Sequence, residues 1–107
     1  NISPAKIENL LCNHPEIDQA FVYGDNRNYL VSLIVANKEL NPTKQKIQEV
    51  VDKTSKNLAA IEKIKNFSIL EESFSAENNM LTPTLKMKRY IIKKNFENLL
   101  NSFYKKK

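Results

Sequence analysis

The sequence predicts an α+β fold, a small and mostly antiparallel sheet flanked by helices, and three observations carry that expectation. Two β-rich runs, Ile17 to Tyr23 and Tyr29 to Ala36, surround the turn cluster Gly24-Asp25-Asn26-Arg27-Asn28, the signature of an antiparallel pair. A stripe of apolar residues at helical spacing follows, and a second such stripe closes the chain. At 107 residues the chain is one domain by size, long enough for a small core but not for two.

The elements follow in order. Ser3 is a good N-cap, and Pro4 at the first helical position gives up no hydrogen bond. Ile7, Leu10 and Leu11 recur at helical spacing until Asn13-His14-Pro15 ends the run. After the strand pair, Asn41-Pro42-Thr43 starts a long helix with Ile47, Val50, Val51, Leu58, Ile61 and Ile64 on one stripe and lysines on the opposite face. Asn66 to Leu70 reads as a third strand. From Glu72 to Leu85 there is no period, only a long loop with a short extended piece at Met80-Leu81, and long loops in compact domains often carry function. The last helix runs from about Lys88 with Ile92, Phe96, Leu99, Leu100 and Phe103 inward, and Lys105-Lys106-Lys107 suit its C-terminal end electrostatically.

Hydrophobic residues make up 41% and charged residues 27%, ordinary for a globular protein. No apolar run approaches the roughly 20 residues that span a bilayer, and the opening residues are not signal-like, so a cytoplasmic location is expected. A start at Asn1 rather than Met suggests a piece excised from a longer protein. The lone Cys12 excludes an internal disulfide and fits a reducing compartment. A net charge of +5 and a pI near 9.3 would attract nucleic acid, anionic lipid, nucleotides or coenzyme A, but a Lys- and Asn-rich chain can equally be just well solvated.

Most catalytic inventories fail. His14 and Cys12 stand two residues apart around a helix end, a poor geometry for a base and nucleophile; His14 reads as a helix-end residue and Cys12 as a small buried hydrophobe. Two such residues make no metal site, since zinc takes three or four ligands. A single glycine rules out a Gly-rich phosphate loop, so any nucleotide chemistry must be completed by groups outside this chain. What remains is Leu81-Thr82-Pro83-Thr84-Leu85-Lys86-Met87-Lys88-Arg89. A proline stiffens it, two threonines supply hydroxyls, and the lysines follow. Such a loop either presents a lysine to phosphate or carboxylate as a mobile point charge or is a solvated basic loop before a helix.

The order of motifs resembles the small C-terminal domain of the adenylate-forming enzymes, the superfamily of acyl-CoA synthetases, luciferases and peptide-synthetase adenylation domains. Asn1-Ile2-Ser3-Pro4-Ala5-Lys6-Ile7-Glu8 is similar to the family's I-x-x-x-x-I-E helix start. Ile17 to Asp25 and Tyr29 to Val35 are similar to the strand, turn and strand that follow it. Leu81 to Arg89 is similar to the motif carrying the family's catalytic lysine. The Leu-Thr-Pro-Thr-Leu-Lys wording, the Gly-Asp-x-Arg-x-Tyr-Leu turn and the terminal Phe-Tyr resemble the long-chain fatty acyl branch. Elsewhere in the family Ser-Gly or Thr-Gly usually precedes the lysine; here Thr84-Leu85 stands there.

That resemblance implies a two-step reaction in a parent enzyme. ATP and a long-chain fatty acid give acyl-adenylate and pyrophosphate, and the CoA thiol then displaces AMP. Lys86 would bridge carboxylate and phosphate oxygens in the first step. The domain would then rotate, withdrawing Lys86 and bringing Asn1, Ile2 and Ser3 toward the CoA tunnel, with Lys53 and Lys56 as candidates for the CoA phosphates. Thr84, Lys88 and Arg89 would support the loop or touch the large domain, and Gly24, Asp25 and Arg27 would be turn and interface residues. The expected partners are the parent's N-terminal AMP-binding domain, fatty acid, ATP with Mg2+, and CoA. None of these ligands is expected on this domain alone, which should fold without turning over, and peripheral membrane association of the parent stays open. Rival readings are a nucleic-acid or anionic-surface binder, disfavoured because the cations are not interleaved with aromatic residues, and a free-standing interaction module of the same ancestry.

Overall fold

The computed structural model describes residues 3–105 and divides into two compact units, one ending at Glu71 and the other starting at Glu72. In the first unit, helix α1 spans Pro4–Cys12, and the Ser3 hydroxyl accepts a hydrogen bond from the Lys6 N–H at 3.4 Å. This satisfies one of the donors that a helix start leaves unpaired. Strands β1 (Ile17–Tyr23) and β2 (Leu30–Ala36) pair antiparallel, Tyr23 opposite Val31 and Ala20 opposite Ile34, with an irregularity between Ile17 and Gln19. Helix α2 spans Lys44–Lys56, capped by the Thr43 hydroxyl, which accepts from the Lys46 N–H at 3.0 Å. A short 3-10 turn, Ala60–Glu62, leads to β3, Ile64–Leu70.

The sheet order is β1-β2-β3, and β3 runs parallel to β2. The sheet is therefore mixed, where the sequence suggested mostly antiparallel pairing. The cause is α2, which carries the chain back to the edge where β2 began, and a strand–helix–strand crossover makes a parallel pair. The same geometry ends α2 before its apolar stripe ends. Thirteen helical residues rise about 20 Å at ~1.5 Å each, close to the roughly 23 Å of a seven-residue strand at ~3.3 Å each. A helix continued to Ile64 would overshoot that edge by about 12 Å. Ile61 consequently lies in the 3-10 turn, 60% exposed, while Ile64 opens β3 as a buried residue. The Ser55 hydroxyl secures the return by accepting from the Ile64 N–H at 3.3 Å.

Ile7 and Leu11 of α1 and Ile47, Val50 and Val51 of α2 form one core with Ala20, Val22, Leu30, Ile34, Ile64 and Phe67 of the sheet. The central strand β2 is buried on both faces, Val31, Leu33 and Val35 included, which is why it reads as a continuous apolar run and not an alternation. Glu8, 5% exposed, faces inward from α1 and its carboxylate accepts the Val22 N–H at 2.7 Å. The chain's single glycine, Gly24, leaves β1 into the turn, where its carbonyl accepts from the Arg27 N–H at 3.0 Å. Its φ is not positive; among the described residues the positive-φ positions are Asn26, Asn41, Asn79 and Leu85. Gly24 serves close approach instead, since a Cβ there would overlap Leu30 Cδ2.

The second unit is built around Asn78. Its carboxamide oxygen accepts the Ser75 and Met80 N–H groups at 3.0 and 3.2 Å, and its amide nitrogen donates to the Ser73 carbonyl at 2.8 Å. Phe74, Met80 and Leu81 are buried. Helices α3 (Arg89–Asn95) and α4 (Glu97–Ser102) take the place of the single terminal helix that the periodicity suggests, with Phe96 at φ −113°, ψ 21° between them. Ile92 and Leu100 are buried and Phe96, Leu99 and Phe103 half-buried, the inward set the spacing selects. Among the described residues no helix is long and apolar enough to cross a membrane.

Candidate functional site: the Lys86 loop

Leu81 and Met87 form an antiparallel bridge, and the Lys88 N–H donates to the Met80 carbonyl at 2.8 Å. Between these anchors the chain makes a tight hairpin. The Leu85 N–H donates to the Thr82 carbonyl at 2.8 Å, and the Thr82 N–H to the Lys86 carbonyl at 2.7 Å. Pro83, with its preset φ, sits at the second position of that turn, where proline is favoured. Leu85 then takes φ 66°, completing the three-residue hairpin pattern of a turn followed by a left-handed residue. That left-handed position is the one where the commoner family wording has glycine. Leu85 occupies it with its side chain 72% exposed, at a conformational cost of about 1–2 kcal/mol for a non-glycine residue.

The Thr82 hydroxyl accepts the Lys86 N–H at 3.0 Å and stands 3.0 Å from the Thr84 hydroxyl. Thr84 therefore belongs to the loop's internal bonding. Lys86 is exposed at the hairpin's far side, and its ammonium has no hydrogen-bond or ion-pair partner among the described residues. Lys88 differs, because its ammonium donates to the Asn79 carboxamide oxygen. Arg89 is exposed as the first residue of α3. The basic run thus divides into an unpaired cation on a bonded loop and a neighbour already engaged. Asn79 is the participant sequence reasoning did not single out; Thr82 was noted only as a hydroxyl and Leu85 only as the residue before the lysine. The signal for Thr82 was a hydroxyl residue four positions before the lysine, across a proline turn.

The other candidates lie elsewhere. Asn1 and Ile2 fall outside the described residues. Ser3 caps α1, and Lys53 and Lys56 stand in the last turn of α2, where cations offset the partial negative charge of the helix end. Lys53, together with Lys6, His14, Leu10 and Leu58, lines an open groove of about 410 Å³; Lys56 does not. Gly24, Asp25 and Arg27 form the β1–β2 turn in the first unit, apart in sequence from the Lys86 loop of the second.

His14 is a helix-end residue as expected, its N–H donating to the Leu11 carbonyl at 3.1 Å. Cys12 is exposed, not buried as its residue type suggests, because it follows the inward Leu11 at the last position of α1. Partial desolvation of its thiol, followed by the Glu8 and Asp18 carboxylates, raises the thiol pKa, against an opposing hydrogen bond with the Ala20 backbone. No group of three or more metal-ligating side chains is assembled among the described residues.

A family model for the AMP-binding enzyme C-terminal domain matches residues 1–107. Long-chain-fatty-acid–CoA ligase 5 of Rattus norvegicus is 32% identical over 126 aligned residues, covering 96% of this chain and 18% of the relative. Fatty acyl-CoA synthetase B of Dictyostelium discoideum is 29% identical over 128, covering 98% and 19%. The chain thus spans about a fifth of the length of these curated relatives. Among solved structures, the adenylation domain of a carboxylate reductase from Mycobacterium chelonae superposes with a TM-score of 0.86 at 24% identity, over 96% of this chain and 18% of that one. Brucella canis acyl-CoA synthetase gives 0.68 at 20% identity, over 92% and 18%. These structural likenesses concern the fold.

Proposed function

Because the chain belongs to the AMP-binding enzyme C-terminal domain family, we propose that it is the mobile domain of an AMP-forming long-chain fatty acyl-CoA synthetase and that Lys86 is its adenylation lysine. The observation that carries this reading is the unpaired ammonium of Lys86 on a hairpin whose backbone is hydrogen-bonded on both sides. The names of the relatives supply the substrate class, a long-chain fatty acid activated for transfer to CoA.

In the first step a carboxylate oxygen bonds to the α-phosphorus of ATP as the bond to pyrophosphate breaks. Negative charge gathers on the carboxylate and phosphate oxygens, and a lysine between them stabilises it electrostatically without transferring a proton. Thr84 supports the loop, and Lys88 and Arg89 join it to the last helices. In the second step the CoA sulfur attacks the acyl carbon and AMP leaves. Rotation of the domain would withdraw Lys86 and turn the segment Asn1 to Ser3 toward CoA, with Lys53 and Lys56 as further contacts for its phosphates. The parent's N-terminal AMP-binding domain would hold ATP, Mg2+ and the acyl chain. A cytoplasmic location goes with this reading, in keeping with the single reduced Cys12.

The test is Lys86→Ala in the full-length enzyme, with the half-reactions assayed separately. Losing a well-placed charge from a water-poor site removes about 3–4 kcal/mol of transition-state stabilisation. Adenylate formation should fall roughly a hundred- to thousandfold, while CoA attack on supplied acyl-adenylate stays within about tenfold. Lys88→Ala should cost far less in adenylation. Equal loss in both half-reactions would make Lys86 structural, and undiminished adenylation would remove it from the chemistry.

A further inference from the structure

We propose that Thr82 is the positioning residue for Lys86. This rests on the adenylation role of Lys86 for its consequence in catalysis, but its geometric content stands alone. Thr82 holds both peptide groups of Lys86: its N–H donates to the Lys86 carbonyl at 2.7 Å, and its hydroxyl accepts the Lys86 N–H at 3.0 Å. Its own carbonyl receives the Leu85 N–H at 2.8 Å. One residue therefore closes the hairpin, sets the turn that forces Leu85 left-handed, and sets the direction in which the Lys86 side chain leaves the backbone. The Thr84 hydroxyl, 3.0 Å from that of Thr82, orients the acceptor.

A lysine on a four-carbon stem is a flexible charge. In a reaction where placement within a fraction of an ångström matters, holding its Cα removes part of that freedom before substrate arrives. The backbone bond from the Thr82 N–H survives any substitution except proline. The hydroxyl bond is the part that side-chain chemistry can remove. Because Lys86 is exposed, water replaces the lost acceptor at little cost to stability. A positioning role thus separates cleanly from a merely structural one.

The experiment compares Thr82→Val, which keeps the shape and removes the acceptor, with Thr82→Ser, which restores it. In this chain, amide hydrogen exchange at Lys86 should speed up about tenfold or more in Thr82→Val and stay near wild type in Thr82→Ser, with no change at the amides of β2. In the full-length enzyme, kcat for adenylate formation should fall roughly tenfold in Thr82→Val with KM for ATP within about twofold, and Thr82→Ser should recover it. Unchanged exchange at Lys86 overturns the positioning geometry whatever Lys86 does. Faster exchange with undiminished adenylation, in an enzyme that Lys86→Ala disables, overturns the catalytic consequence. If Lys86→Ala leaves adenylation intact, the underlying reading fails, and the exchange comparison still decides whether Thr82 holds the lysine. Loss in Thr82→Ser equal to that in Thr82→Val would overturn the assignment to the hydroxyl bond, because serine keeps that acceptor.

Discussion

The buried carboxylate of Glu8 accepts the backbone N–H of Val22 at 2.7 Å, tying α1 to strand β1 at a donor that a helix side chain, not a strand, satisfies. Removing the acceptor takes this bond away from a buried N–H, and losing a buried hydrogen bond to a charged group costs about 1–3 kcal/mol. Glu8→Ala should lower the urea midpoint by a corresponding amount, while Glu8→Gln, which keeps an oxygen in place, should cost about 1 kcal/mol or less. Equal midpoints for Glu8→Ala and wild type would mean that the contact contributes nothing.

Gly24 leaves no room for a methyl group against Leu30, which is itself in the core. Gly24→Ala should therefore destabilise the chain by about 1–3 kcal/mol, the usual range for overpacking. The readout is the shift in the unfolding midpoint. Gly24→Ala combined with Leu30→Val, which clears space, should recover part of the loss, and failure to do so would locate the cost elsewhere in the turn.

Leu85 carries a left-handed backbone with an exposed side chain, so glycine there relieves strain without emptying any packed space. Leu85→Gly should stabilise the chain by up to about 1 kcal/mol, the relieved strain being partly offset by the greater freedom of glycine when unfolded. A clear loss of stability in thermal or urea unfolding would show that the exposed leucine makes a contact worth more than its strain.

The raised pKa of the Cys12 thiol predicts a pH dependence. The folded chain holds this proton more tightly than the unfolded chain does, so as pH climbs into the thiol range the unfolded state is the first to release it. The contribution to stability is fully present below the ordinary thiol pKa and is lost as pH rises through the raised one. The stability difference between wild type and Cys12→Ser should therefore drift against wild type from neutral to alkaline pH. Iodoacetamide should also modify folded Cys12 more slowly than an unstructured cysteine near neutrality, because less thiolate is present. A pH-independent difference, or rapid alkylation, would contradict the shift.

Much of the fold was legible because it rests on local rules. Ser3 and Thr43 cap helices as their residue types dictate, and the apolar runs of β1 and β2 show their pairing through the turn between them. Two features were not legible. The parallel pairing of β3 and the early end of α2 depend on matching a helix rise to a strand length, a relation between elements far apart in the chain. The stripe through Ile61 and Ile64 keeps its helical spacing after the helix has stopped, because Ile64 is buried by a strand instead. At the candidate site, the proline turn and the basic run after it were legible as a loop before a helix. The division between a free Lys86 and an engaged Lys88 was not, since it depends on Asn79 curling back from nine residues earlier.

A chain with one glycine, used for space, makes its left-handed turns with other residues, three of them asparagines, and this bears on its chemical ageing. Asparagine deamidates when the following backbone nitrogen attacks its side-chain carbonyl to close a succinimide, most readily when glycine comes next. Here Asn26 is followed by Arg27, whose N–H is engaged with the Gly24 carbonyl at 3.0 Å. Asn79 is followed by Met80, whose N–H donates to the Ser75 carbonyl at 3.1 Å. Asn41 is followed by Pro42, which has no N–H to lose. Each left-handed asparagine therefore sits before a nitrogen that is either occupied or incapable of the attack, and turns built from a residue prone to deamidation are shielded from it for as long as the chain stays folded.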